Sequence, residues 1–417
     1  MSLQQIIAIV IFLCTMGAII TGKVHNTVAS LTGAACLVLT HILSIEDCID
    51  AVDVETICIL VGMMLLVAVI KNSGIFEYIA IKAAKIAKGR PWPIMVIFIL
   101  ITAVCSGMLD NVTTVLLVGP MTLAITNILK VDPVPYIITQ IMASNIGGTA
   151  TLIGDPPNIM IGSAAKLSFV DFILNTGVAT IFVIIVGLIC MYFIYGRKLF
   201  VEDEAIAKVM QLDENKAIKD RKLIVIILVA LCFIFHDQLG VQSCTVAIAA
   251  ACIMLLIGGQ EPEEIISEVE WPTILFFIGL FIVVGGMKKV GVITMLANGL
   301  ISITHGNMVV TMMVILWVSA IVSSFLDNIP FVATLIPMIL TMQSEGMDVT
   351  PIWWALSLGA CLGGNGTLIG ASANVVLSGI SKNNGHPITF GQYFKIGFPM
   401  MILSIAVCSV FLLIRFA

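Results

Sequence analysis

The sequence predicts an all-α integral membrane protein made of two inverted five-helix repeats, each with a re-entrant hairpin and a broken helix. Of its 417 residues, 59% are hydrophobic and only 11% are charged, with a mean hydropathy of +1.13. Soluble domains carry about 25% charged residues, so most of this chain cannot face water. The chain also repeats itself: SGMLDNVTTVLLVGPM at 106–121 returns as SSFLDNIPFVATLIPM at 323–338, and GGTATLIGDPPN at 147–158 returns as GGNGTLIGASAN at 363–374.

The first half divides at polar breaks within its apolar runs. Helices are predicted near 4–21, 26–43 and 56–70, followed by an amphipathic stretch at 72–89 on the cytoplasmic surface. The apolar segment 93–129 is too long for one crossing and carries Asp110-Asn111 midway, so it predicts a re-entrant hairpin with this pair at its tip. A helix at 136–165, broken at Gly147–Asn158, and a final helix at 171–196 complete the half.

The second half repeats this order after a polar linker. We predict a first membrane repeat at 1–200, a cytoplasmic linker at 201–221 and a second, inverted repeat at 222–417. The predicted elements of the second repeat are helices near 223–239, 243–258 and 271–287, a hairpin at 309–342, a broken helix at 352–381 and a final helix at 396–415.

The placement of basic residues predicts the orientation. Five crossings per half turn the second half upside down, and only Lys166, Lys288, Lys289 and Arg415 then fall on one side, which leaves sixteen of the 20 Lys and Arg on the other. The tendency of Lys and Arg to stay inside makes the rich side cytoplasmic. We therefore expect a multi-pass protein of a bacterial or archaeal inner membrane with both termini outside. The N-terminal run lacks a basic flank, so it is predicted to be the first membrane helix rather than a signal peptide.

Both hairpin tips carry a carboxylate, in Asp110-Asn111 and Asp327-Asn328. An ionised carboxylate at the bilayer centre costs several kcal/mol, so each must face a cavity, a partner or an ion. These four residues are the predicted Na⁺ site. The alternative is that each Asp caps the returning arm of its hairpin, and capping is compatible with ion binding.

The two broken helices carry the complementary chemistry. Gly and Pro interrupt the regular hydrogen-bond ladder, and unwound backbone at membrane depth is tolerated where it is buried in protein or lines a cavity. Such backbone offers carbonyls to cations and helix N-termini to anions. Kinked helices that bind nothing are the alternative.

One difference between the breaks stands out, because Asp155-Pro156-Pro157 becomes Ala371-Ser372-Ala373 in the second half. Asp155 is therefore a candidate proton or cation carrier, with helix capping as the alternative. The predicted ion-binding residues are Asp110, Asn111, Thr113, Asn145, Gly147, Gly148, Thr151, Asp155, Asn158, Asp327, Asn328, Gly363, Gly364, Asn365, Thr367 and Asn374.

These motifs resemble the ion transporter superfamily with its citrate-transporter-like domain. SNIGGTATLIGDPPNIMI at 144–161, with MLDN and FLDN at the tips, is most similar to the branch that holds arsenite permeases, NhaD-type sodium/proton antiporters and the melanosomal P protein. The resemblance implies scaffold helices for a homodimer and a transport part that moves as an elevator. The carboxylate carriers of this superfamily have neutral Ser-Asn-Thr tips, whereas this chain has Asp at both.

The sequence leaves three functions open. The first is a proton-coupled antiporter of a small cation or of a neutral metalloid hydroxide such as arsenite, and the second is a cation-coupled carrier of citrate or a related carboxylate. Neither hairpin tip nor break contains Lys or Arg, which favours the first. The third is a non-transport membrane protein, but the sequence offers no nucleophile–base pair, metal-ligand spacing or nucleotide loop, so we expect no enzyme. We expect no cofactor, a coupling ion that is H⁺ or Na⁺, a small inorganic ion or small organic acid as substrate, a lipid bilayer as surroundings and no nucleic-acid partner.

Overall fold

The first half is helical along its described length. The computed structural model describes residues 2–21, 23–71, 75–196, 206–207, 210, 232–233, 240–258 and 261–417, and no strand occurs within them. The first-half helices are α1 (Leu3–Thr21), α2 (Asn26–Leu39), α3 (Ile45–Ala51), α4 (Val54–Lys71), α5 (Ile75–Ile86), α6 (Pro91–Met108), α7 (Asn111–Leu129), α8 (Val134–Thr149), α9 (Pro156–Ala165) and α10 (Phe169–Gly196).

The second half follows the same element order in its described part. Its helices are α11 (Ser243–Gly258), α12 (Pro262–Ser267), α13 (Trp271–Lys289), α14 (Val292–Thr304), α15 (Met308–Phe325), α16 (Asn328–Ser344), α17 (Thr350–Gly363), α18 (Ser372–Asn383) and α19 (Phe390–Phe416). The all-helical membrane class is confirmed. The predicted linker 201–221 and the predicted helix 223–239 fall almost entirely outside the described residues, so the domain boundaries remain predictions.

Seven described helices are long and apolar enough to span a membrane, or eight if α3 and α4 form one bent span. The hairpin arms α6, α7 and α15 are among the seven. An Asp caps the return arm of each hairpin. Each return arm begins directly after this Asp, whose side chain accepts a hydrogen bond from the first turn of the arm.

Some helices differ in extent from the predictions, and some were not predicted. The predicted helix 26–43 ends at Leu39, because His41 takes a left-handed φ of 54° and the Ile42 N–H bonds back to the Leu37 carbonyl. In the second half, the amphipathic helix α14 was not predicted, although it follows α13 as α5 follows α4.

The breaks are also shorter than predicted. The first helix continues through Gly147 and Gly148 to Thr149 and resumes at Pro156, so the non-helical segment is 150–155 rather than 147–158. The second is non-helical over 367–371, after a 3₁₀ turn at Gly364–Gly366. Gly147 and Gly363 lie within helices, where they allow close packing. A Cβ on Gly363 would lie 2.6 Å from the Ala320 carbonyl oxygen of α15, and one on Gly147 would meet the Ala103 backbone of α6.

The two halves pack into each other through small residues. Gly62 on α4 approaches α11 so closely that a Cβ there would lie 2.7 Å from the Ala247 carbonyl carbon. Its counterpart Gly279 on α13 approaches α2, where a Cβ would lie 2.8 Å from the Leu31 nitrogen. Close approach of small residues is how membrane helices gain packing energy, so each half contributes a helix to the other half's packing.

Candidate functional site

Each hairpin is fastened to its broken helix by a matching pair of side-chain hydrogen bonds. In the first half, the Ser106 hydroxyl donates to the Ser144 carbonyl at 2.8 Å, and the Thr151 hydroxyl donates to the Gly107 carbonyl. In the second, the Ser323 hydroxyl donates to the Ala360 carbonyl at 2.5 Å, and the Thr367 hydroxyl donates to the Ser324 carbonyl at 2.5 Å. These matching hydrogen bonds hold each hairpin tip beside the break of its own half.

The tip carboxylates cap the return arms. Asp110 accepts from the Thr113 N–H at 2.8 Å through one oxygen and from the Thr113 hydroxyl through the other. Asp327 accepts from the Ile329 N–H at 3.2 Å and from the Ser372 hydroxyl at 3.3 Å. Capping, the alternative raised from the sequence, therefore describes both side chains, and Ser372 ties the second tip to the second break.

The neighbouring amides point inward from the tips. Asn111 and Asn328 are buried, and the Ser106 hydroxyl donates to Asn111 Oδ1 at 2.5 Å. Asn328 Nδ2 donates to Asp155 Oδ2 at 3.3 Å, which joins the second hairpin to the first break. The tip of one half therefore bonds directly to the carboxylate of the other.

Both tips and both breaks converge on one small cavity of about 100 Å³. Its apolar wall includes Met63 and Ile153. No Lys, Arg or His lines it among the described residues. Its polar lining consists of Asp110, Asn111, Asp155, Glu270, Thr273, Asp327, Asn328 and Ser372.

Asp155 differs from the tip carboxylates in its surroundings. It is 3% exposed and precedes α9, but its side chain makes no capping hydrogen bond. The capping alternative therefore does not describe Asp155. An ionised carboxylate buried in this way needs a compensating charge, and the Asn328 amide that donates to Asp155 carries none.

Na⁺ binding here would draw on amide, hydroxyl and backbone oxygens beside the carboxylates. Within the described ranges, no three His, Cys, Asp or Glu side chains are placed close enough to hold a metal ion together. The predicted group of Asp110, Asn111, Asp327 and Asn328 does share the cavity, so its members face a common space without forming a closed carboxylate cage.

The remaining predicted residues lie behind the cavity and hold the breaks in shape. Asn158 Nδ2 donates to the Gly148, Thr149 and Thr151 carbonyls at 2.9–3.3 Å. Asn374 Nδ2 donates to the Gly364 and Thr367 carbonyls at 2.7 and 2.8 Å. Because these amides occupy the freed carbonyls, Asn158 and Asn374 support the unwound backbone in this conformation.

Asn145, on α8 before the first break, bonds to residues on either side of the second break. Its Nδ2 donates to Asn365 Oδ1 and to Asn374 Oδ1, both at 2.9 Å, whereas its Oδ1 is buried without a hydrogen-bond partner. The position that matches Asn145 in the second half is Cys361, whose thiol lies 3.5 Å from Asn158 Oδ1. The contacts across the middle of the protein are therefore similar in layout but different in chemistry.

Three polar cavity residues were missed from the sequence: Glu270, Thr273 and Ser372. The Thr273 hydroxyl donates to Glu270 Oε2 at 3.0 Å at the start of α13. The repeat contained a signal for this pair, because Asp53 and Thr56 occupy the matching positions at the start of α4, where the Thr56 hydroxyl donates to Asp53 Oδ2 at 2.7 Å. That pair lies outside the two repeated motifs on which the site prediction was based.

A polar cavity enclosed by two hairpins and two broken helices defines a multi-pass membrane transporter. The chain belongs to the CitMHS family, described as citrate transporter, which matches residues 16–359. This confirms the resemblance to citrate-transporter-like proteins.

Similar proteins agree with this class. The chain is 41% identical to an uncharacterized transporter of Mycobacterium bovis over 99% of both chains. It is 32% identical to the human P protein over 99% of this chain, and the match spans 60% of the P protein's length. The crystal structure of the Alcanivorax borkumensis YdaH transporter has a similar fold, with a TM-score of 0.53 over 85% of this chain and 83% of that one at 15% identity.

Proposed function

We propose that the protein is a secondary active antiporter that exchanges protons either for a small cation, above all Na⁺, or for a neutral metalloid hydroxide such as arsenite. The observation that carries the proposal is the lining of the cavity. Its charged side chains are the carboxylates of Asp110, Asp155, Glu270 and Asp327, and no basic side chain lines it among the described residues. Such a lining attracts cations, accommodates neutral hydroxides and repels anions.

The size of the cavity supports a small substrate. A volume of about 100 Å³ holds several water molecules, each of which needs only about 10–15 Å³ by this measure. Pockets for organic ligands span about 300–1,000 Å³. A sodium ion with part of its hydration shell fits this space in the present conformation.

Asp155 supplies the exchange in this proposal. A proton or a cation can each neutralise its buried charge, and neutralisation offsets the cost of holding a carboxylate inside the membrane. The two therefore compete, since occupation by one removes the reason to bind the other. In each direction of an elevator movement, a neutralised Asp155 crosses at lower cost than an ionised one. A homodimer held by the scaffold helices is part of the same proposal.

A cation-coupled carrier of citrate is the second candidate, and the description of the family favours it. Three carboxylates on the substrate would meet those of the cavity, so this function requires cations to bind between them.

The test is transport by purified protein in liposomes. We expect ²²Na⁺ to accumulate when the lumen is more acidic than the medium, and a protonophore to remove the accumulation. Arsenite is assayed in the same vesicles. Uptake of ¹⁴C-citrate driven by a cation gradient, without proton-driven movement of Na⁺ or arsenite, would contradict the antiporter and favour the second candidate.

A further inference from the structure

Glu270 lies where two cavities meet. Beside the central cavity is a larger vestibule of about 520 Å³, lined also by His25, Thr27 and Phe276. No Lys or Arg lines the vestibule among the described residues. The residues common to both spaces are Glu270, Thr273, Asp327, Ile329 and Ser372. An ion that passes between the vestibule and the central cavity therefore passes the Glu270 carboxylate.

Glu270 is exposed, in contrast to the buried Asp155. One of its oxygens accepts from the Thr273 hydroxyl, which leaves the other without a hydrogen bond from that residue. Its carboxylate lies within electrostatic range of Asp110 across the cavity. Two like charges on either side of a passage favour a cation between them, because the cation lowers their mutual repulsion.

The matching position in the first half behaves differently. Asp53 accepts from the Thr56 hydroxyl as Glu270 accepts from Thr273, but it also accepts from the Ser163 hydroxyl of α9 at 2.9 Å. Asp53 lines neither the central cavity nor the vestibule. The position that matches Ser163 is Gly379, which has no hydroxyl to offer Glu270.

The space near the matching end of the first half is also separate. A cavity of about 330 Å³ is lined there by Glu55, Lys166 and Gln242 among others, and it shares no lining residue with the central cavity. In this conformation, the central cavity therefore adjoins the vestibule beside Glu270 and does not adjoin this second space.

We infer that Glu270 is a specificity-determining residue that concentrates cations where the vestibule meets the central cavity, an inference that rests on the proposed cation transport. A carboxylate at the mouth of a passage with apolar walls raises the local cation concentration and the rate of association. An exposed charge of this kind is screened by salt. Its contribution is therefore to cation capture and selectivity, and it depends on ionic strength.

Glu270→Gln in the full-length reconstituted protein tests the inference, because Gln keeps an acceptor for Thr273 and removes the charge. At low ionic strength, we expect KM for Na⁺ to rise about tenfold, within the range for electrostatic steering, while kcat changes less than twofold. The increase in KM should shrink as choline chloride is added. Asp53→Asn is the matched control, since it removes a charge at the equivalent helix start, and it should leave KM unchanged.

Glu270→Asp separates charge from shape. It keeps the charge, so we expect a KM nearer to the wild-type value than that of Glu270→Gln. Wild-type KM and salt dependence in Glu270→Gln, or equal impairment in the Asp and Gln variants, would overturn the inference while leaving cation transport by the wild type intact. Absence of Na⁺ transport by the wild type would instead remove the proposed function on which the inference rests.

Discussion

The two hairpin-and-break units share the hydrogen bonds that join each hairpin to its break, and they differ in a carboxylate. Ser106 and Thr151 fasten the first unit as Ser323 and Thr367 fasten the second. Directly before the second part of the broken helix, however, the first unit has Asp155 and the second has Ala371. The shared hydrogen bonds hold the hairpin against the break, so each unit has its own set. The buried carboxylate of Asp155 has no counterpart, so the two halves differ in chemistry at the centre.

The carboxylates that the halves share differ from Asp155 in exposure and in hydrogen bonding. Asp110 and Asp327 are half-buried and each caps its return arm, whereas Asp155 is 3% exposed and its hydrogen-bonding neighbours Asn111, Asn328 and Cys361 are uncharged. Because burial without a charged partner disfavours ionisation, a mobile proton or cation matters most at the unshared position. Within the proposed function, this difference favours Asp155 for the coupling step and a common binding and capping role for the two tips.

The largest expected effect comes from the two tip carboxylates. Asp110→Asn and Asp327→Asn should each abolish transport, because each removes a charge from the cavity. Asn caps a helix about as well as Asp, so the free energy of unfolding should change little. Liposome uptake and thermal unfolding in detergent measure the two quantities.

Asp132→Asn is the control for the tips. Asp132 is exposed and accepts from the Val134 N–H at 3.0 Å before α8, away from the cavity. Normal transport in either tip variant would reduce that Asp to a capping role and make the two halves unequal at their tips as well.

A smaller effect, on stability, is expected at the packing glycines. Gly147→Ala and Gly363→Ala should each destabilise the protein by about 1–3 kcal/mol, as overpacking does, because the added Cβ meets the backbone of α6 or α15. Gly379→Ala has no atom within 4 Å of its Cβ and should be neutral or slightly stabilising. Thermal unfolding of the three variants measures this. Similar losses at 147 and 363 would support equivalent packing in the two halves, and a loss at only one would contradict it.

The mildest substitutions test whether the halves are inverted. Lys166 and Lys382 lie at the C-terminal ends of the two broken helices, at matching positions, and both are exposed. In a background without the native cysteines, Lys166→Cys should react with an impermeant maleimide from outside and Lys382→Cys from inside, with transport unchanged. A cysteine at 208 should be protected from outside, since the linker is predicted to be cytoplasmic. Labelling of 166 and 382 from the same side would rule out an inverted repeat.

The helices and hairpin tips could be predicted because their signals are local and occur twice. Asp110 and Asp327 interrupt apolar runs at matching positions, and the structure places both at the start of a return arm. The limits of the breaks could not be predicted from composition, because Gly147 can interrupt a helix or allow close packing within one. In the structure the Ala103 backbone lies against Gly147, so this glycine allows close packing within the helix.

The site was predictable only where its residues belonged to the repeated motifs. Asp110, Asn111, Asp155, Asp327 and Asn328 line the cavity as a group. Glu270 was missed, since its place beside Asp327 depends on how α13 packs against the second hairpin. Asn158 was predicted to bind an ion because it recurs as Asn374 in the second half, and in the structure its amide donates to carbonyls of its own break.

The coupling role of Asp155 is tested most directly by substrate uptake into liposomes with and without an imposed pH gradient. Wild-type uptake should respond to the gradient, whereas Asp155→Asn should either lose this response or stop transporting. Adding Ala371→Asp to Asp155→Asn should not restore it, since the carboxylate would then lie on the other break. If wild type and Asp155→Asn respond identically to pH, Asp155 is structural, and any coupled proton must bind at Asp110 or Asp327.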